Sequence, residues 1–446
     1  MSEPARCPAI LVAAPASGQG KTTVTAALAR LHRRRGRRVR VFKCGPDFLD
    51  PFWHELASGA PVHPLDLWIN GEADCRARLH AAAQQADLIL VEGVMGLYDG
   101  QPSAADLAQR LGLPVLAVVD AGAMAGTFGA LVHGLQHYRE GLRWAGVLAN
   151  RVGSPRHAGM LRQSLREPAQ WLGALPREPA LVLPERHLGL VAATELNDAA
   201  ERLDAAADAL AATPLGQMGN ADLRRWAVDF AALAPPAAVT QQPLRGRTVA
   251  VARDAAFCFI YAANVDCLRQ LGAEVVFFSP LAGADLPACD AVWLPGGYPE
   301  LHAARLGANH ALRDSLRAHV AAERPLWAEC GGMMALFETL VDKNGQSHAM
   351  WGLLPGRVVM QQRLAALGPQ QLRIDGQQLR GHTFHYSRAE TAWPPAARTT
   401  RPEGGADDAE GEAVYARGPL VASYFHAWFP SAPALVARLL SRGWPA

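Results

Sequence analysis

The chain has 446 residues, 43 Lys+Arg against 41 Asp+Glu, with half of its residues hydrophobic and 19% charged. That length predicts two or three domains, and the apolar content excludes disorder as the general state. A formal charge of +2 gives no polyelectrolyte character and argues against bulk nucleic-acid binding. The seven cysteines (Cys7, Cys44, Cys75, Cys258, Cys267, Cys289 and Cys330) are odd in number and form no C-x-x-C pair. Neither a disulfide scaffold nor a zinc ribbon is suggested. No secretory leader is visible, and the apolar runs at 9–14, 88–91 and 115–119 are too short to span a bilayer. The chain reads as cytoplasmic, with neither membrane nor nucleic acid as partner.

In chain order, apolar runs at 9–14, 39–43, 87–92, 115–120 and 145–150 alternate with helical stretches near 22–35, 104–111 and 125–138. Continuous apolar runs suit strands buried on both faces, so a parallel sheet covered by helices is expected. The first strand leads into Ser17, Gly18, Gln19, Gly20, Lys21, Thr22 and Thr23, the context a phosphate loop needs. Gly18 and Gly20 let backbone N–H groups approach phosphates, Lys21 reaches the β- and γ-phosphates, and Thr22 offers a hydroxyl to magnesium. Pro15 replaces the first glycine of the general pattern; the bland alternative is a Gly-rich turn without a ligand.

After the second strand, Lys43, Asp47 and Asp50 fall on the same sheet edge, and Glu92 ends a later strand, where ligands gather in open α/β sheets. An acid ending an apolar strand needs a partner, which favours a metal role for Glu92. Asp47 after Pro46 and Asp99 before Gly100 are also ordinary turn pairs. The run Arg33-Arg34-Arg35-Gly36-Arg37-Arg38 ends the first helix, where cations suit the negative pole.

Composition changes near 195. Residues 197–211 have helical spacing, and 234–236 and 241–243 resemble a linker. A second α/β pattern begins at Arg245, with runs at 248–252, 274–278, 291–294 and 325–329, a helix over 264–271, and a polar stretch at 394–411 expected to be a surface loop. We therefore expect domains at 1–196 and 245–446, with a helical extension and linker at 197–244. Cys330 stands between an apolar strand and Gly331-Gly332, an elbow that would expose its sulfur at a helix N-terminus favouring thiolate. Gly296 and Gly297 offer amides for an oxyanion, and His426 a general base, with His382 and His385 as a second source. The other cysteines lack such flanks and are read as packing or surface residues.

These motifs resemble known families. The N-terminal half is similar to dethiobiotin-synthetase-like ATPases and the C-terminal half to class I glutamine amidotransferase domains. In this order they resemble the a,c-diamide synthases of cobalamin biosynthesis, which act on cobyrinate or hydrogenobyrinate. The most specific stretches are 17–23, 42–47, 92–100, 149–154 and 183–190. The resemblance implies an α/β fold of two domains: an N-terminal P-loop NTPase with a mostly parallel sheet, and a C-terminal amidotransferase-like domain. It implies Asn150 at the adenine, Thr22, Asp47 and Glu92 as magnesium ligands, and Asp50 and Asp99 near the acceptor carboxylate. Cys330 is implied as the nucleophile forming a glutamyl thioester, with His426 as its base. Trp428 stands where general class I domains place a glutamate.

The implied reaction is ATP- and glutamine-dependent amidation through an acyl phosphate, with Mg2+ as cofactor. A corrinoid or tetrapyrrole polycarboxylate, ATP and glutamine are the expected partners, and a homodimer is a compatible assembly. For such a polyanion the arginine run would be a steering patch. Cobyric acid synthase and a nickel-tetrapyrrole diamide synthase are the rival enzymes. A partition-type ATPase switch is the non-enzymatic alternative, disfavoured by Ala16 and by the amidotransferase half.

Overall fold

Runs of aliphatic and β-branched residues, apolar on both faces, become the central strands of two separate parallel sheets. In the computed structural model the described residues are 4–186, 189–190, 196–232, 242–283, 285–402 and 411–445. The chain divides into two compact units, 1–236 and 237–446. Among the described residues, no helix is long and apolar enough to cross a membrane.

The first unit runs β1 (Ala5–Ala13), α1 (Lys21–Arg34), β2 (Val39–Cys44), α2 (Asp50–Ser58), β3 (His63–Leu65), α3 (Glu72–Ala83), β4 (Leu88–Glu92), α4 (Ala104–Leu111), β5 (Val115–Asp120) and α5 (Thr127–His137). It continues with β6 (Trp144–Val152), α6 (Pro155–Ser164), β7 (Trp171–Pro176), the two-residue strands β8 (Glu185–Arg186) and β9 (Gly189–Leu190), and α7 (Ala199–Ala211). Two single turns, α8 (Pro214–Gln217) and α9 (Asn220–Leu223), lead to β10 (Ala227–Phe230). The strand order is β3-β2-β4-β1-β5-β6-β7, all parallel, with β10 antiparallel to residues 5–8 of β1. The ends of β1, β2, β4 and β6 therefore share one edge. Register sets Lys43 beside Glu92 and Asp120 beside Asn150.

Residues 199–230, expected as an extension, pack into this first unit. Leu203, Ala207 and Leu210 of α7 join the core layer of Leu28 and Leu31 from α1. Asp204 takes both Arg30 Nε (2.8 Å) and Nη2 (2.7 Å). Most of the expected linker, 233–241, lies outside the described residues.

The arginine run is tied down at the far end of α1, about 20 Å along the axis from the phosphate loop. Arg34 pairs with Asp204 and Asp208, Arg35 donates to the Gly216 carbonyl, Arg37 to Asn220, and Arg38 pairs with Asp87. These contacts correct the steering-patch expectation: the guanidiniums fasten the end of α1 to α7, α8, α9 and the start of β4.

The second unit has β11 (Thr248–Ala252), α10 (Ala262–Gln270), β12 (Glu274–Phe278), β13 (Ala291–Leu294), α11 (Ala303–Ala308), α12 (His310–Ala321), β14 (Leu326–Glu329) and α13 (Gly331–Leu336). After these come β15 (Phe337–Val341), β16 (Ser347–Ala349), β17 (Leu354–Met360), β18 (Ala366–Ile374), β19 (Gln377–His385), β20 (Ser387–Glu390), β21 (Ala397–Arg398), β22 (Ala413–Arg417), β23 (Leu420–Ser423), β24 (His426–Ala427) and α14 (Pro433–Arg442). Its main sheet runs β12-β11-β13-β14-β23-β22-β21, parallel as far as β23. Two smaller sheets, β16-β15-β17-β20 and β18-β19-β24, have no counterpart in the sequence reading. The polar stretch at 394–411, expected as a loop, contributes β21, and Thr400 exchanges backbone hydrogen bonds with Gln371. Polar residues there satisfy sheet-edge backbone groups; 403–410 lies outside the described residues.

If α7 is part of the first core, removing one of its side chains must cost a core-sized penalty. Leu203 is fully buried, so Leu203→Ala should destabilise the unit by about 2–5 kcal/mol. Equilibrium denaturation of the full chain should show the change; an unshifted transition would place α7 outside the core.

Candidate active site

The phosphate loop closes on itself through side chains. Gly18 and Gly20 are left-handed, at φ +75° and +95°, which glycine adopts without steric cost. A Cβ at Gly20 would collide with the Asn150 amide. Asn150 Nδ2 donates to the Gln19 carbonyl (2.8 Å), and the Asp120 amide donates to Gln19 Oε1 (2.8 Å). The loop is thus pinned to the ends of β5 and β6. Lys21 Nζ donates to the Ala16 carbonyl (3.2 Å) and to that of Met95 (2.5 Å). Met95 itself holds a left-handed φ of +49°. Burial, reinforced by Lys43, lowers the Lys21 pKa.

Beside the loop stands a buried ion cluster. Lys43 Nζ lies 2.9 Å from Asp50 Oδ2, 3.4 Å from Glu92 Oε1 and 3.6 Å from Asp47 Oδ2. Thr22 Oγ1 donates to Glu92 Oε1 (2.7 Å), and His54 Nε2 meets Glu92 Oε2. Burial alone would raise Glu92, but Lys43 and His54, with hydrogen bonds from His54 and Thr22, bring it down to about 2. Burial works against the Lys43 charge, yet Glu92, Asp50 and Asp47 together hold its pKa well above the ordinary lysine value. Asp50 moves the other way: burial and the Asp47 charge outweigh Lys43 and raise it well above the usual carboxylate range. One ammonium cannot compensate three carboxylates.

A cavity of about 860 Å³ opens over this cluster, lined by Ser17, Gly18, Gly20, Lys21, Thr22, Thr23, Lys43, Asp47, Asp50, Glu92 and Asn150 among others. Two of the sequence-derived residues stand back from it. Gln19 uses both of its oxygens to accept from Asp120 and Asn150, and Asp99 Oδ2 accepts the Gly96 amide (2.8 Å). Asp47 combines both of its readings. Oδ1 accepts the amides of Leu49 (2.8 Å) and Asp50 (3.2 Å) in a turn, while Oδ2 faces Lys43. Sequence reasoning sets Lys43 at this edge without a role, and it misses His54 altogether. The available signal is helical spacing, since His54 is four residues after Asp50 on α2 and shares its face.

In the second unit, Cys330 turns the chain at φ +45°, ψ −105°, strained for a residue with a Cβ. Its amide donates to the Ser423 carbonyl (2.7 Å). The elbow is packed against the glycine turn: a Cβ at Gly331 would lie 2.8 Å from the Gly297 nitrogen. A Cβ at Gly296 would strike the His426 ring. The elbow, the turn and the histidine thus converge.

With Trp428 in place of an acid, backbone contacts set the position of His426. Glu329 Oε1 accepts the Ala427 amide (3.2 Å), Asn264 bonds the Ala427 carbonyl (2.8 Å) and the Phe429 amide (2.9 Å), and Trp428 donates to the Arg380 carbonyl (2.8 Å). The ring stacks on its cross-strand neighbour His382, centroids 4.9 Å apart at 15°. His385 instead pairs with Glu412 (3.0 Å) and stacks on Tyr424.

The expectation of a thiolate-favouring elbow is corrected. Burial, then the charges of Glu300, Glu412 and Glu329, push the Cys330 thiol far up. The helix behind it has only six residues. Burial, with His382 and His385, drives His426 well below the usual histidine value. The pair rests as neutral thiol and neutral imidazole. Of the other cysteines, Cys258 is partly exposed and the rest are buried.

Comparison with known proteins agrees with this division. Residues 10–191 match the CobQ/CobB/MinD/ParA nucleotide binding domain, and 248–434 match the CobB/CobQ-like glutamine amidotransferase domain. A hydrogenobyrinate a,c-diamide synthase of Pseudomonas aeruginosa is 56% identical over 437 residues, covering 98% of each chain. One from Stutzerimonas stutzeri is 57% identical over 97% of this chain and 98% of its own. A cobyrinate a,c-diamide synthase of Herminiimonas arsenicoxydans is 50% identical over 97% and 96%. With a nucleotide-binding unit and a glutamine amidotransferase unit joined in that order, the chain belongs to the a,c-diamide synthase family.

Proposed function

We propose that this chain amidates the a and c carboxylates of a corrinoid, cobyrinate or hydrogenobyrinate, using ATP and glutamine. The observation that carries the reading is the union, in one chain, of a phosphate loop faced by an ionised Glu92 and a Cys–His elbow. End-to-end similarity to relatives bearing those names supports it.

A carboxylate does not exchange its oxygen for ammonia, because hydroxide leaves poorly. Transfer of the ATP γ-phosphoryl group to that carboxylate gives an acyl phosphate and ADP, and ammonia then displaces phosphate. Lys21 and the loop amides would stabilise the charge that moves. Asn150, at the rim of the cavity, is the residue we assign to adenine. Asp50 suits a place beside the acceptor: with its raised pKa it can take a proton and so admit a second carboxylate. Asp99 contributes by shaping the 95–99 loop whose carbonyl holds Lys21.

The donor set fits magnesium. The Thr22 hydroxyl gives its proton to Glu92, which leaves its lone pairs for a cation, and Asp47 completes a hard oxygen set. Magnesium is ordinarily held through one or two carboxylates together with phosphate oxygens. Magnesium would supply charge neutralisation at the phosphates.

In the second unit, Cys330 attacks the glutamine amide as its proton passes to His426, and the Gly297 amide beside the elbow faces the developing oxyanion. Ammonia leaves, and water releases glutamate from the thioester.

Two outcomes test this. Glu92→Gln should lower amidation by roughly 10²-fold or more with either nitrogen source, because phosphoryl transfer precedes both. Near-normal synthesis by that variant would sink the metal assignment. Cys330→Ser should lose glutamine-dependent amidation but keep the reaction with free ammonia at alkaline pH. The count of amides added to cobyrinate and to hydrogenobyrinate, by mass spectrometry, reads both variants. A Cys330→Ser protein using glutamine at the wild-type rate would remove the thiol from the mechanism.

A further inference from the structure

A carboxylate beside a cysteine that must ionise opposes the reaction unless a positive charge joins it. Glu300 is such a carboxylate. It sits in the single 3-10 turn Pro299–Leu301, two residues beyond Gly297, and that turn packs on the nucleophile elbow. A Cβ at Gly331 would lie 2.9 Å from Pro299 Cδ. Although the residue is partly exposed, its Oε1 is closed off from solvent and has no hydrogen-bond partner.

Among the described residues, no lysine or arginine forms an ion pair with Glu300. The cation that acts on it is Lys343, whose Nζ instead lies 5.0 Å from the centre of the Tyr386 ring. Burial pushes Glu300 up to about 7, against its own amide and Lys343. After burial itself, Glu300 is the largest influence raising the Cys330 thiol. A carboxylate oxygen shut away without a partner is costly. An incoming cation removes that cost, and glutamine carries one.

We propose that Glu300 receives the α-ammonium group of glutamine, so that the side chain opposing reaction at Cys330 in the free protein becomes the one that selects its substrate. The inference rests on the reading that Cys330 hydrolyses glutamine. Pairing with the ammonium lifts the opposing negative charge as the amide reaches the sulfur, so Cys330 passes its proton to His426 when the substrate is in place. An amide of the same length without the α-amino group gains neither the ion pair nor the release.

The test uses the full chain, wild type and Glu300→Gln, with glutaminase rates measured on glutamine and on glutaramate, the same amide lacking the α-amino group. Glu300→Gln should lower kcat/KM for glutamine by roughly ten- to a hundredfold, mostly through KM, and should raise rather than lower that for glutaramate, whose attack by Cys330 no longer meets the Glu300 charge. A second reading, alkylation by neutral iodoacetamide at pH 8 without glutamine, is followed at the Cys330 peptide by mass. That peptide should be labelled severalfold faster in the variant, with the other cysteines unchanged. Loss of a binding residue and gain of thiol reactivity in one protein is a combination that misfolding does not produce. Equal losses on both amides, or Cys330 labelling no faster than in wild type, would overturn the proposal. A wild-type protein that hydrolyses neither amide would remove the glutaminase reading itself, and the proposal with it.

Discussion

A single ammonium group, that of Lys43, organises the first site. It is 3% exposed, and three carboxylates, from the turn after β2, from α2 and from β4, converge on it. Removing a charge from water costs several kcal/mol even after relaxation, so this lysine persists only where acids surround it. In exchange it fixes where those acids stand. Glu92 is held from three sides, by Lys43, Thr22 and His54, and so meets the phosphate loop in one geometry. Without Lys43, three carboxylates would stand close together at one sheet edge with no cation between them.

The two units solve opposite electrostatic problems. The nucleotide site concentrates fixed charge, with Glu92 ionised far below neutrality and Lys43 protonated far above it. Its charges are pre-arranged for a reaction that moves negative charge. The thiol site carries almost none on the two residues we propose as its reacting pair, since Cys330 and His426 are both buried and both held neutral. A neutral pair spares the thiol from premature oxidation, which follows thiolate character and exposure. The cost is that ionisation has to be brought about within the complex.

What the sequence disclosed depended on how local each feature is. The phosphate loop and the cysteine elbow are runs of consecutive residues whose glycines announce the turn, and both stand where the spacing placed them. The Lys43–Glu92 contact depends on the pairing of β2 with β4, which no local pattern encodes. His54 reaches Glu92 only because α2 begins at Asp50 and carries it inward. The small sheets built from 337–390 and 426–427 leave little trace in the sequence because their strands mix buried with half-buried and exposed residues, and some buried positions, such as Gln370 and Gln371, are polar, without the continuous apolar runs that mark the central strands. The thiol reads as a reactive one in the sequence because the half-buried glutamates around it, Glu300 and Glu412, lie 30 and 82 positions away.

The return of β10 to the first strand governs how this protein is made. Among the described residues, 5–8 find their ladder partner only in 227–230. On the ribosome, at roughly 5–20 residues per second, that partner emerges about 10–50 seconds after the strand it completes. During that interval the opening of β1 presents unmatched backbone groups to solvent or to a chaperone. The unit is sealed last at its first strand, and translation must run almost to the second unit before the first can close.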